Sequence, residues 1–217
     1  MFRFDFLVRA ILILLIAVIG LSACQPIEAI FTAPESTFDK DADVGPLGVE
    51  MGMTKKSFSS LREVDYNFYQ TDYVPRQSSL FDFYNMKFAP DGLCALIGVG
   101  RDVETTKNGE MLRREYTRVY QALSKKYGMP ADEYDSIVDK AKFPEDENWM
   151  KAIEVGERSY EAHWQETSSN VLPHNLESIS LRSRATDEVT GYIVIRYEFD
   201  NYSACEEMDK ARELEDL

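Results

Sequence analysis

Residues 176–199, which read LESISLRSRATDEVTGYIVIRYEF, contain the clearest structural pattern of the chain. In the first half, Ile179 and Leu181 alternate with polar residues. The second half repeats the alternation with Ile193, Ile195, Tyr197 and Phe199. A period of two places alternate side chains on opposite faces of a strand. Because residues 186–191 are suited to a turn, the stretch predicts an antiparallel hairpin with one buried face.

A second hairpin is predicted upstream, in the middle of the chain. Tyr84, Met86 and Phe88 alternate with polar residues, and the following segment 90–92 reads Pro-Asp-Gly. Pro, Asp and Gly are favoured in tight turns for distinct conformational reasons. Residues 93–99 are therefore expected to return as the second strand.

A long amphipathic helix is predicted between the two hairpins, over residues 108–127. One face carries apolar residues at helical spacing, and Gly128 and Pro130 are expected to end the helix. The residues of that face are Leu112, Tyr116, Val119, Leu123 and Tyr127.

Three further helices are expected. The first begins at Gly52-Met53-Thr54 and turns Phe58 and Leu61 inward. Another covers residues 132–141, and a third starts at Pro144. Their expected inner residues are Tyr134, Ile137, Val138 and Ala141 in the former, and Trp149, Ile153, Gly156 and Tyr160 in the latter. This order predicts an α+β fold, an antiparallel sheet with helices packed on one face, and it allows two related helix–hairpin halves.

The N-terminus has the pattern of an export signal. Arg3 and Arg9 precede an apolar run at residues 10–20, and Leu-Ser-Ala-Cys follows at residues 21–24. A basic start, a short apolar run and small residues before a cleavage point define a secretory signal peptide. The last four residues match a lipobox, so Cys24 is the expected lipidation site. An ordinary signal peptide and a membrane-spanning helix are the competing interpretations, but the run is short for a bilayer.

Cleavage before Cys24 predicts four segments. Residues 1–23 are the signal peptide, 24–45 a flexible tether, 46–205 an α+β periplasmic domain and 206–217 an acidic tail. Gln25 does not match the Asp that commonly retains lipoproteins in the inner membrane. The expected location is therefore the outer membrane, lipid-anchored and facing the periplasm.

Charge and cysteine content narrow the function. The formal net charge is −14, which argues against nucleic acid as a partner because phosphate backbones bind basic patches. Once Cys24 is acylated, Cys94 and Cys205 remain in an oxidising compartment, where a disulfide is the simple expectation. Such a bond would stabilise the fold by roughly 4 kcal/mol on the chain-entropy model. Two buried thiols are the alternative.

Several short motifs resemble small outer-membrane lipoproteins of the barrel-assembly E-subunit kind, whose fold is related to the β-lactamase inhibitor protein. Gly52-Met53-Thr54 carries the resemblance to the E subunit. Two further stretches look like uncharacterised lipoproteins of the same sort: Gly-Leu-Cys at 92–94 with Asn-Gly at 108–109 and Lys-Tyr-Gly at 126–128, and the stretch 192–202 followed by Cys205. The resemblance implies the fold type and the envelope setting, but no binding residues. The chain departs from the E subunit in its greater length and in lacking Gly-x-Pro after the first helix.

The chain offers weak candidates for chemistry. His163 and His174 are the only histidines, and no nucleophile-elbow motif accompanies them. Asp39, Asp41, Asp43 and Glu50 have the spacing of a calcium-binding loop, but Val44 stands where that loop needs Gly. An acidic linker explains the same residues, so no cofactor is expected.

The leading hypothesis is a non-enzymatic lipoprotein that binds an envelope protein or a cell-wall component, through a sheet face or an exposed strand edge. A small-ligand or calcium-binding module is the alternative, followed by a cryptic hydrolase.

The lipobox predicts the mass of the mature chain. Cys24→Ser removes the thiol that would carry the lipid, so intact-mass measurement is expected to show loss of the acyl groups and retention of the signal peptide. Ser22→Ala, a small-for-small change beside it, is the control and should remain lipidated. Retention of the acyl groups in Cys24→Ser would contradict lipidation at this residue.

Overall fold

The structure is a computed structural model that describes residues 44–166 and 171–215. Over these residues the chain forms nine strands, three α-helices and three short 3₁₀ turns. The strands are β1 Arg62–Asp65, β2 Phe68–Thr71, β3 Phe81–Ala89, β4 Gly92–Gly100, β5 Val103–Glu104, β6 Asp132–Ile137, β7 Arg158–Gln165, β8 Leu176–Ala185 and β9 Thr190–Phe199. The α-helices are α1 Glu110–Tyr127, α2 Trp149–Glu154 and α3 Tyr202–Glu215.

The strands form one antiparallel sheet in the order β1-β2-β3-β4-β9-β8-β7-β6, and the short β5 also pairs with β9. Strands β1 to β4 make one meander and β6 to β9 make another. The two meanders meet where β4 pairs with β9, from Ala95 opposite Glu198 to Val99 opposite Val194. The predicted α+β class is therefore observed.

Both predicted hairpins are confirmed. In β8–β9, Ile179 lies opposite Tyr197 and Leu181 lies opposite Ile195, so the apolar residues of the two strands share one face. In β3–β4, Met86 lies opposite Leu96. We call the face that carries Met86, Leu96 and Tyr197 the inner face, because these side chains are buried in the main hydrophobic core.

Helices α1 and α2 cover the inner face. The five predicted inner residues of α1 are all buried, and the helix contacts β8 and β9. Trp149 of α2 is fully buried and packs edge-on against Tyr160 of β7, with 5.5 Å between ring centroids. Gly109, at φ +73°, precedes α1, and a Cβ there would lie 2.3 Å from the Trp149 ring. Only glycine combines this conformation with so close an approach.

Helix α3 instead contacts β3 and β4. It packs against the side chains that point away from the inner face, such as Lys87 and Ala95. We call this the outer face. A β-bulge precedes the contact: Lys87 pairs with Ala95 and Phe88 with Leu93, which leaves Cys94 as the extra residue. Cys94 is bonded to Cys205 of α3 and buried beside Ala95. The expectation of helices on one face is not confirmed, because the disulfide fixes α3 to the outer face.

Each meander precedes a helix that packs against the other meander. Helix α1 follows β4 and β5 and contacts β8 and β9, whereas α3 follows β9 and contacts β3 and β4. The two helices lie on different faces of the sheet. Two related helix–hairpin halves therefore remain a prediction.

The helix predicted over residues 132–141 is wrong. Residues 132–137 form β6, which pairs with β7 through six residue pairs, and all six residues of β6 are exposed. The apolar residues at helical spacing are therefore not an inner face. Tyr134, Ile137 and Val138 are 44%, 40% and 50% exposed.

Two other predicted helices are shorter than expected. At Thr54 the chain makes only one 3₁₀ turn, Lys55–Ser57, because Phe58 returns to an extended conformation directly after it. The segment before the turn is tied to β4 by two backbone hydrogen bonds. Gly52 N donates to Leu93 O at 3.0 Å, and Leu93 N donates to Met53 O at 2.8 Å. Phe58 is nevertheless buried, as predicted.

The helix expected from Pro144 is confined to α2. The chain reverses at Gly156, whose φ of +74° is a left-handed conformation, and β7 begins at Arg158. Trp149 and Ile153 are buried as predicted, whereas Tyr160 reaches the core from a strand.

At the C-terminus, helix α3 begins at Tyr202, before the acidic tail that was expected to start at residue 206.

The disulfide predicts a measurable stability. The bond joins residues 111 positions apart, and closing a loop of that length stabilises a fold by about 4–5 kcal/mol on the chain-entropy model. The variant Cys94→Ser/Cys205→Ser should lose about that much free energy of unfolding in urea. Reduced wild-type protein is the matched control and should lose a similar amount. A loss below about 1 kcal/mol in both would contradict the stabilising role.

Candidate binding surface

The outer face of β6 to β9 differs from the part that α3 covers. Most of its side chains are exposed or half-buried, and they include aromatic, basic and acidic groups. Alternation along the strands fixes this placement, because their neighbours point into the core. The principal members are Tyr134, Glu161, His163, Arg182, Arg196 and Glu198.

Charged groups on this surface are paired with one another, between β7 and β8 and along single strands. Arg182 Nε lies 2.8 Å from Glu161 Oε2, and His163 Nε2 lies 3.5 Å from Glu161 Oε1. Arg196 Nε lies 2.7 Å from Glu198 Oε1, and this carboxylate also accepts a hydrogen bond from Ser178 Oγ at 2.5 Å. The pairing fixes side chains that would otherwise lose rotamer freedom on binding a partner.

A groove of about 760 Å³ opens between this surface and the start of α3. We call it the acidic groove, because four carboxylates line it: Glu166, Glu177, Glu198 and Glu206. Arg196 is the one cation among its lining residues. Its guanidinium donates to the Tyr202 hydroxyl and lies 4.9 Å from that ring, so the start of α3 forms one wall.

Glu177, one of the acids of the groove, has a raised pKa. The β8–β9 register shifts between Leu176 and Ser178, so Glu177 is the unpaired residue of a bulge. Partial burial raises the pKa of its carboxyl, and the carboxylates of Glu198, Asp200, Glu206 and Glu166 raise it further. The charged form of Glu177 is disfavoured because the groove concentrates negative charge.

A second depression, of about 560 Å³, lies at the opposite end of β9. Phe83, Val99 and Tyr192 supply its apolar and aromatic lining, and Asp82, Arg101 and Asp102 border it. Phe83 pairs with Val99, and Val99 with Val194, so these side chains share the outer face with the acidic groove. The outer face therefore has a negative end and an aromatic end.

The calcium candidate is divided by the limits of the described structure. Asp39, Asp41 and Asp43, like Cys24, lie outside the described residues. Glu50 is described and exposed, and its backbone N–H contacts Met53 Sδ at 3.3 Å. Among residues 44–166 and 171–215, no group of three or more His, Cys, Asp or Glu side chains could hold a metal ion.

Cys94, His163 and His174 are the residues that bear on the hydrolase alternative. Cys94 is bonded to Cys205, so its thiol is not available as a nucleophile. His163 contacts Glu161 and the ring of Tyr134, whose centroid lies 5.7 Å from that of the imidazole. His174 lies in the connection before β8, with a left-handed φ of +64°.

Comparison with known proteins gives no relative. No protein-family model, curated protein or solved structure matches the chain. The resemblance to barrel-assembly lipoproteins therefore stays a prediction. Among the helices that the structure describes, none is long and apolar enough to cross a membrane.

The groove and the depression were not predicted from the sequence, although Ser178, Arg196 and Glu198 of the groove were predicted as the polar positions of a hairpin. Each combines residues from strands or helices that are far apart in the chain, such as Glu166 with Glu206. No local spacing indicates such a combination. The only sequence signal is the alternation that turns Arg196 and Glu198 outward together.

The raised pKa of Glu177 predicts a pH-dependent stability. A folded-state pKa above the unfolded value costs stability once the pH rises past the unfolded value, because the native state then holds a disfavoured charge. Glu177→Gln should therefore be more stable than wild type at pH 7 and lose that advantage near pH 3.5. Urea unfolding at both pH values measures the difference. Glu207→Gln, an exposed change on α3 outside the groove lining, is the control, and an equal gain there would refute the explanation.

Proposed function

We propose that the protein is a lipid-anchored lipoprotein of the outer membrane, facing the periplasm, and that its domain binds an envelope protein or a cell-wall component without catalysing a reaction. The observation that carries this proposal is the outer face of β6 to β9. It exposes paired charges and aromatic rings, whereas the parts of the sheet that helices cover bury apolar side chains.

The chemistry of the outer face favours a protein partner. Tyr and Arg are enriched at the centres of protein interfaces, and both lie on this face, in Tyr192 and Arg182 for example. Charges that are already paired before binding lose less entropy on association. A surface with a negative end and an aromatic end also favours one orientation of the partner.

The anchor and the tether give this surface its setting. A lipid on Cys24 would hold the chain at the membrane, and residues 24–45 would separate the domain from it. The absence of enzymatic activity is part of the proposal, and the bonded Cys94 and the structural contacts of His163 support it. The fold type of the barrel-assembly lipoproteins is also part of the proposal, and it rests on the sequence resemblance at Gly52-Met53-Thr54.

A small-ligand module is the second candidate, and the acidic groove is the observation that favours it. Four carboxylates around one guanidinium would attract a small cationic ligand. The groove is nevertheless broad, and its acids do not form a metal-binding group among the described residues. A calcium-binding function would rest on Asp39, Asp41, Asp43 and Glu50. We therefore rank partner binding first.

Site-specific photo-crosslinking in intact cells tests the proposed surface. A crosslinking residue at Arg184 or Tyr192, which lie opposite each other on the outer face, should give discrete adducts with one envelope component. Gln121, on the exposed side of α1, is the matched control and should give none. Equal adducts at all three positions, or none at the outer face in membranes that contain the lipidated protein, would refute the proposal.

A further inference from the structure

We infer that the edge of β6 is a strand-addition site, which takes up an extended segment of a protein partner with alternating basic and apolar residues. The inference rests on the proposed function, since it names the chemistry of the partner, but it uses a different part of the surface. In the described part of the chain, β7 is the strand that pairs with β6, and β6 ends the sheet.

Hydrogen-bond alternation shows which backbone groups are available. Val138 N donates to Glu157 O at 2.8 Å, and in the same register Ser136 lies opposite Ser159 and Tyr134 opposite Glu161. In an antiparallel pair every second residue turns its N–H and C=O toward the partner strand. Glu133, Asp135 and Ile137 therefore turn theirs away from β7. Three exposed residues present three donors and three acceptors at strand spacing.

The two ends of the sheet differ in how well they could accept a strand. At the other end, β1 has only four residues and its register shifts between Glu63 and Asp65. Short length and a bulge are common means of blocking an edge strand. By contrast, β6 pairs with β7 over six consecutive residues without a register shift. The edge of β6 is therefore the better template for an added strand.

Side-chain contacts hold β6 in its extended conformation. Arg158 Nε donates to Asp135 Oδ1 at 2.7 Å, and its Nη1 also donates to Asp146 Oδ1 at 2.9 Å. The Tyr120 hydroxyl donates to Glu133 Oε1 at 2.7 Å, which connects the strand to α1. On the outer face, the ring of Tyr134 packs against His163. A strand that is already extended loses less entropy when a partner adds to it.

Charge selects the occupant. Residues 131–139 contain four acidic side chains and no basic one: Asp132, Glu133, Asp135 and Asp139. A second copy of this chain would place acidic residues opposite acidic residues, and like charges directly opposite each other are destabilising. A segment with Lys or Arg opposite Glu133 and Asp135, and an apolar residue opposite Tyr134, matches both faces of the strand. The fit is therefore to a basic, alternating segment and not to self-association.

A pair of substitutions at one residue separates backbone from side chain. Asp135→Pro removes an N–H that faces away from β7, so the β6–β7 ladder is retained. Asp135→Ala removes the same carboxylate and keeps the N–H. The probe is a capped seven-residue peptide in which lysine alternates with valine, added to the full-length chain in detergent. The alanine variant should bind the peptide more weakly than wild type, because it lacks one of the selecting carboxylates, and the proline variant should bind it at least tenfold more weakly than the alanine variant.

A charge reversal gives an independent result if the proline variant is unstable. Asp135→Lys keeps the backbone and should shift the preference toward a peptide with glutamate in place of lysine. Hydrogen exchange should also slow at the Glu133, Asp135 and Ile137 amides when the lysine peptide binds the wild type. Equal binding by the alanine and folded proline variants, or protection only at the acidic groove, would overturn the strand-addition site. An unchanged peptide preference in Asp135→Lys would overturn the charge selection.

The envelope partner distinguishes this inference from the proposed function. The photo-crosslinking experiment can be repeated in the alanine and proline variants. If both recover the same crosslinked envelope component equally, partner binding is supported and the assignment of the β6 edge is wrong. If only the proline variant loses that component, both are supported. If the wild type binds the lysine peptide at β6 but recovers no component, the edge remains a strand-addition site and the proposed function fails.

Discussion

The pairing of β4 with β9 is the interaction on which the rest of the structure depends. It joins two four-stranded meanders that are otherwise separated by β5 and α1 along the chain. Residues 95–99 and 194–198 form this seam, and Leu96 and Tyr197 contribute their side chains to the core beneath it. The disulfide lies at one end of the seam, so α3 fixes the outer face where α1 fixes the inner face. Without the seam neither helix would have a continuous sheet to cover.

Elements that bury one face could be predicted from the sequence. Both central hairpins and α1 have apolar residues at the period of their own structure, because one side of each contacts the core. Strand β6 has no such constraint, since all of its residues are exposed. Tyr134, Ile137 and Val138 then fall at helical spacing by coincidence, and the local pattern indicates the wrong element. Strands β1 and β2 were not predicted for the same reason: β1 is fully exposed and β2 is buried only at Thr71.

Cysteine pairing shows a different limit of sequence reasoning. Counting thiols predicted a bond between Cys94 and Cys205, with two buried thiols as the alternative, because acylation of Cys24 would leave two. The structure shows the bond. The bulge that turns Cys94 toward the outer face cannot be counted in this way, since it depends on the register between β3 and β4. The consequence for the fold is large. The same pair of residues decides that the helices lie on two faces of the sheet and not on one.

The acidic composition acquires a specific physical meaning at the sheet edge. A regular, exposed edge strand is a liability, because it offers unpaired backbone groups to any other extended chain. Three carboxylates on β6 and a fourth just after it, at Asp139, reduce that liability toward a second copy, whose edge carries the same charges. Toward a basic segment the same carboxylates are attractive, and the backbone groups of Glu133, Asp135 and Ile137 become an advantage. The same charges thus disfavour pairing between two copies of the chain and favour a basic partner. This explains how a folded protein can keep a regular, exposed edge strand.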